Sequence, residues 1–248
     1  MKQIILYMLL ALFCIPMGFG CRKAPKVQPR IQVMGYKPEL VFEEVLNNLD
    51  QWRKEGPGSV VISPDSEMVI TDSSGNEGTA VWCLTDVDEN FHLEYEIGFN
   101  DSSGLSLLFL CAAGIKYEDM FSDLPARNGS ITEYANPPLR NYQISYHSFD
   151  EGQHYNHTKI RKNPGNLLLS NIEEDPCIES RNYYINVIKI SNRIQMYVDG
   201  QLVHDVKDKG AFGHSVYLDG KFGFWTQGWE KESRITIAHV RLFKLIPH

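Results

Sequence analysis

Apolar and polar residues alternate at period two through much of the chain beyond residue 36. Phe91-His92-Leu93-Glu94-Tyr95-Glu96-Ile97 does so, as do 142–146, 184–190 and 234–243. Successive side chains of a strand point to opposite faces, so each stretch reads as a strand with one face buried. Turn-forming runs separate these stretches at short intervals, among them Asn100-Asp101-Ser102-Ser103-Gly104, Asn163-Pro164-Gly165, Asp199-Gly200 and Asp219-Gly220. Many short strands with tight turns fold as an antiparallel sandwich or barrel. Helix is expected only over 39–54, where Leu40, Val45, Leu49 and Trp52 form an apolar stripe, and as a turn over 117–124.

The first 20 residues carry one charged side chain, Lys2, then an apolar run from Ile4 to Met17. That run is short for a membrane span and suits the apolar region of a secretion signal. Gly18-Phe19-Gly20-Cys21 follows and resembles a bacterial lipoprotein signal, in which Cys21 becomes the lipidated terminus. Residues 21–36 are basic and contain two prolines, as a tether would be. Arg22 stands where inner-membrane retention uses Asp, so the resemblance implies an outer-membrane lipoprotein facing the periplasm or the cell surface. Residues 37–248 are then expected to form one domain.

The formal charge is −7 over 248 residues. An acidic balance argues against nucleic acid as a partner, because phosphate binding wants a basic face. Membrane contact is expected through the lipid anchor only. Cys83 and Cys111 sit in apolar runs and read as buried thiols, and no cysteine spacing matches a zinc site. No metal and no cofactor are expected.

The strand order of the carboxy-terminal half, with a hairpin turning at Asn192-Arg193 and again at Asp199-Gly200, resembles the concanavalin A-like jelly-roll superfamily. The expected fold is therefore an all-β jelly-roll sandwich of two antiparallel sheets. A narrower resemblance rests on Ala112-Ala113-Gly114-Ile115-Lys116-Tyr117-Glu118-Asp119-Met120-Phe121, on 160–165 and on Gly220-Lys221-Phe222-Gly223-Phe224. These strings are similar to signatures of the YesU-like family of unknown function, DUF1961. That resemblance implies work on pectin-type and other acidic polysaccharides, with no catalytic residues to carry across.

The site is therefore argued from chemistry. A glycoside hydrolase needs two carboxylates flanking the scissile bond, and the E-x-D-x-x-E and E-x-D-x-E strings of laminarinase-type jelly rolls are missing. Glu94 and Glu96 share a face that reads as solvated. A lyase instead needs a cation or amide for the uronate carboxylate and groups that move protons. The segment 142–161 is rich in these. His147, His157 and Tyr146 are the catalytic candidates. Arg161, Asn156, Tyr134, Trp225 and Trp229 are the substrate-binding candidates, with the indoles as platforms for sugar faces. Arg127 and Arg140, in or beside the long loop 113–141, are further candidates. Strict alternation puts Gln143, Ser145 and His147 on one face, and Tyr155, His157, Lys159 and Arg161 on one face. The function expected is breakdown of poly- or oligosaccharides bearing uronates, by a lyase rather than a hydrolase. The alternative is a non-catalytic carbohydrate-binding lipoprotein.

Overall fold

A computed structural model of the chain describes residues 31–73, 75, 77–99, 103–150, 153–210 and 215–248. The signal 1–20, Cys21 and most of the tether lie outside the described residues. The chain folds into two antiparallel sheets packed face to face as a jelly roll.

The first sheet runs β14 (Gln201–Lys207), β13 (Arg193–Val198), β12 (Asn182–Ile190), β6 (Asn90–Phe99), β16 (Ser233–Pro247), β4 (Met68–Asp72) and β3 (Ser59–Ile62). The strand β1 (Tyr36–Glu43) pairs with the far end of β16. The second sheet runs β11 (Leu167–Ile172), β10 (Thr158–Asn163), β8 (Leu139–Asp150), β7 (Gly104–Gly114), β15 (Gly220–Gln227), β5 (Thr79–Val87) and β2 (Trp52–Glu55). The short β9 (Gln153–His154) pairs with β8.

The alternation in the sequence maps onto the core. Phe91, Leu93, Tyr95, Ile97 and Phe99 of β6 face Tyr142, Ile144 and Tyr146 of β8 and Phe222 and Phe224 of β15 between the sheets. Tyr95 and Tyr146 share a hydrogen bond between their hydroxyls at 3.1 Å, which satisfies both where water cannot reach. Cys83, Cys111 and Cys177 are buried free thiols, and burial pushes Cys83 and Cys111 up to about 11.

Two expectations are corrected. The region 39–54 is not helical: it holds β1, an irregular turn and β2. Its apolar residues satisfy a helix only loosely, and β16 offers β1 a partner that a helix would leave unpaired. Glu94 is not solvated. It is fully buried, 2.8 Å from Arg241 and 3.6 Å from His92. The turn expected over 117–124 is present, with Asp119 Oδ1 accepting the amides of Phe121 and Ser122.

Candidate functional site

Residues opposite one another on neighbouring strands point to the same face of a sheet. Two such rows cross the outer face of the second sheet. One runs Arg161, Gln143, Phe109, Gly223, Trp82 and Arg53. The next runs Lys159, Ser145, Leu107, Trp225, Ala80 and Glu55. Each row begins basic and polar on β10 and β8 and becomes aromatic on β7, β15 and β5.

The aromatic half is closed. The segment between β7 and β8, which includes the short helix α1 (Ile131–Ala135), lies over it. Trp82 stacks on Phe109 at 5.3 Å, and Tyr134 of α1 packs against both rings. Glu55 accepts hydrogen bonds from Trp82 Nε1 at 3.0 Å, from the Tyr134 hydroxyl at 3.1 Å and from Arg127 Nε at 2.9 Å. Trp225 Nε1 donates to Gly129 O at 2.8 Å. Glycine is required beneath both indoles. A Cβ on Gly223 would sit 2.6 Å from the Trp82 ring, and one on Gly78, whose φ is +108°, 2.4 Å from Trp225.

The other half is open. Thr158, Ile160 and Lys162 of β10 turn inward, so His157, Lys159 and Arg161 form a half-buried stripe on the outer face. Tyr155, 39 % exposed, continues the stripe, with its ring 6.2 Å from His157 and 6.4 Å from Trp229. Arg161 NH1 donates to Asn166 O at 2.9 Å, which anchors the guanidinium at the β10–β11 turn. Burial lowers the His157 imidazole below its ordinary value. Lys159 and Arg161 push the same way, and Asp175 opposes them. Burial and Arg161 also lower Lys159. The stripe therefore presents a neutral imidazole between an aromatic platform and two cations.

The expected residues thus divide. His157 and Trp229 meet through Tyr155 on the open face, and Arg161 lies on the same face four residues beyond His157, about 13 Å along β10. Asn156 stands beside them and holds the 173–175 loop, its Oδ1 accepting the Asp175 amide at 3.1 Å and its Nδ2 donating to Glu173 O at 3.3 Å. Tyr134 and Trp225 are enclosed beneath the loop segment. Tyr146 and His147, expected as catalytic candidates, are both enclosed away from this face. Tyr146 points into the core between the sheets. His147 is the extra residue of a β-bulge, with φ of +53°, between the pairs Leu105–Ser148 and Ser106–Tyr146. A bulge breaks the alternation and re-aims its side chain. The ring stacks on Phe99 at 3.9 Å and donates from Nδ1 to Cys177 O at 2.6 Å.

The expected site omitted Tyr155, Lys159 and Gln143. The alternation that placed His157 and Arg161 together was their signal. On the same face of β8 stand Asn141, Gln143 and Ser145; Asn141 and Gln143 are buried and accept hydrogen bonds from Asn163 Nδ2, and none of the three is an acid that a hydrolase would need. Among the described residues no group of three or more His, Cys, Asp or Glu side chains is arranged to hold a metal ion.

The chain is 24 % identical over 185 residues to the uncharacterized protein YesU of Bacillus subtilis (strain 168), covering 72 % of this chain and 83 % of that one. A crystal structure of a Bacillus subtilis protein of unknown function with a galectin-like fold superposes with a TM-score of 0.76 at 21 % identity. The match covers 86 % of this chain and all of that one. The carbohydrate-binding module CBM66 from Bacillus subtilis is more distant, with a TM-score of 0.51 at 17 % identity over 78 % of this chain and 95 % of that one. The family model described as "Domain of unknown function (DUF1961)" matches residues 39–228, and the chain belongs to that family.

Proposed function

We propose that the open half of the second sheet binds a uronate-containing oligosaccharide and cleaves it by β-elimination. The observation that carries this reading is the stripe itself: a neutral imidazole flanked by Lys159 and Arg161 on one side and Tyr155 and Trp229 on the other. Lys159, two residues from His157, is the cation near the reacting unit and stabilises its enolate-like carboxylate, and Arg161, further along β10, is suited to the planar carboxylate of a neighbouring uronate. His157 accepts the C5 proton. As the C4–O bond breaks and the C4–C5 double bond forms, the Tyr155 hydroxyl gives its proton to the leaving oxygen. Tyr155 takes the part expected of Tyr146, whose phenol is enclosed. The sugar-binding module among the similar folds supports a carbohydrate ligand, and the lack of an acid at the outer-face positions 141, 143 and 145 of β8 and 157, 159 and 161 of β10 supports elimination over hydrolysis.

The test is incubation with a panel of pectic, ulvan-type and alginate-type polysaccharides. Elimination yields products that absorb in the ultraviolet and gain no water in mass. Products that gain water and do not absorb would replace elimination with hydrolysis. Binding without product from any substrate would leave a carbohydrate-binding lipoprotein.

We further propose that Cys21 is lipidated and anchors the protein at the outer membrane, on the order Lys2, apolar run, small residues, Cys. Cells fed an alkynyl fatty acid should label the wild type and not Cys21→Ser. Equal labelling of both would defeat the anchor.

A further inference from the structure

We infer that a second ligand site, separate from the β10 stripe, lies at the opposite end of the second sheet and takes a single neutral pyranose. A cavity of about 280 Å³ opens there between the ends of β5, β7, β8 and β15. It lies about 20 Å along β15 from Gln227, beside which Trp229 borders the stripe, and about 10 Å along β8 from Gln143, the partner of Arg161. Part of its wall is the 112–120 segment that carries the family signature.

Arg140 is central to this cavity. Its side chain is only 3 % exposed, and NH2 donates to Asp219 Oδ1 at 2.6 Å. The guanidinium lies 4.7 Å from the Tyr117 ring and 5.0 Å from the Tyr217 ring. Its buried Nε has no hydrogen-bond partner among the described residues, while NH1 donates to Cys111 O and Asp219 O. A buried N–H without an acceptor is unusual in a folded protein, and a small shift of the rim on binding a hydroxyl would satisfy it. At the rim stands Tyr117, 66 % exposed and held at φ +66°, a conformation uncommon for an aromatic residue. Its amide bonds to Gly114 O at 3.0 Å, which fixes the loop that presents the ring.

The lining selects the ligand class. Five acids and two bases border the cavity, so an anion such as a uronate is repelled. The acids are ordered acceptors: Glu118 Oε2 holds the Lys116 amide at 2.7 Å, and Asp86 pairs with Lys221 at 2.9 Å. A wall that mixes ordered acceptors with an unsatisfied donor suits hydroxyls, which both donate and accept. Tyr117 offers an aromatic face to the C–H face of a sugar ring. The volume falls at the small end of ligand pockets, which run from about 300 Å³ upward, so one ring fits and a chain does not.

Titration calorimetry of the full chain with methyl glycosides of glucose, galactose, rhamnose and xylose tests this, with galacturonate and calcium chloride as further probes. At least one neutral glycoside should bind at millimolar Kd or tighter. Tyr117→Ala should weaken it at least tenfold, Glu118→Gln should weaken it severalfold, and Tyr117→Phe should retain it, all with unchanged melting temperature. The inference is overturned if no neutral glycoside binds, if only galacturonate or calcium binds, or if Tyr117→Ala and Glu118→Gln keep wild-type affinity.

Discussion

The two halves of the second sheet's outer face are built from the same cross-strand rows and end up opposite in character. On β5, β7 and β15 the row positions hold Trp82, Phe109, Leu107 and Trp225, all fully buried under the 115–138 segment. On β8 and β10 they hold Gln143, Ser145, Lys159 and Arg161, which lie outside the apolar cluster beneath that segment; Gln143 is buried and the other three are half-buried. An exposed aromatic patch of the first kind would be a liability in water, so the chain closes it with its own loop. The lesson is that aromatic residues on an outer face do not by themselves mark a sugar groove. What matters is whether a covering element satisfies them. Trp225 and Trp229 are four residues apart in sequence, and one is a structural post while the other borders the open face.

Glu55→Ala should open the closed half and have the largest effect. Trp82, Tyr134 and Arg127 would lose their common acceptor, leaving a buried cation uncompensated at a cost of about 3–5 kcal/mol. Chemical denaturation reads the loss, and a cost under about 1 kcal/mol would mean that the loop rests on apolar contact alone.

Acid should loosen the packing behind the open half. His204 of β14 bonds to Thr158 of β10 at 3.0 Å and to Ser170 of β11 at 2.9 Å. The Thr158 hydroxyl donates to Ser145 O, so His204 donates from Nε2 and accepts the Ser170 hydroxyl at Nδ1. Burial drives this imidazole down to about 4. The folded form favours the neutral ring, so stability is present above the unfolded value near 6.5. It falls by about 3 kcal/mol as the pH drops from about 6.5 to about 4. His204→Gln should flatten that slope, and amides of β10 and β11 should exchange first in acid. An unchanged slope in the variant would assign the acid sensitivity elsewhere.

A smaller effect is expected from His157→Gln, which keeps the shape of the stripe and removes its base. Turnover on the cleaved polysaccharide should fall about a hundredfold with little change in melting temperature. With His157 as the base of the proposed elimination, the wild-type rate should rise with pH through the lowered imidazole value and then level off. Full activity in the variant would remove His157 from the chemistry. The smallest effect belongs to Trp229→Ala. Losing one aromatic platform should weaken oligosaccharide binding by about 1 kcal/mol, roughly fivefold, without lowering stability. Trp225→Ala should do the reverse, costing about 3–5 kcal/mol of stability as a buried indole is removed.

Much of the fold was legible because strand alternation is a local signal. β6, β8, β12 and β16 lie where the period-two stretches lie, and the face shared by His157, Lys159 and Arg161 was readable from spacing. The signal fails where a local pattern meets a non-local demand. His147 follows the alternation in sequence, but the extra residue that makes it a bulge can be counted only against β7. The apolar residues of 39–54 permit a helix in isolation, and the free edge of β16 converts the first of them to strand.

The sequence by itself determined the class of this protein. Its alternation and turns dictate two antiparallel sheets, and its family signature lies in strings that survive any rearrangement of the structure. Tertiary structure alone decided which side chains meet solvent. Burial of an outer-face residue depends on a segment that returns from elsewhere in the chain, as the 115–138 segment returns over Trp82 and Trp225. It also depends on register between strands distant in sequence. Neither leaves a local trace, so the division between the closed and open halves of one face could be read only from the folded molecule.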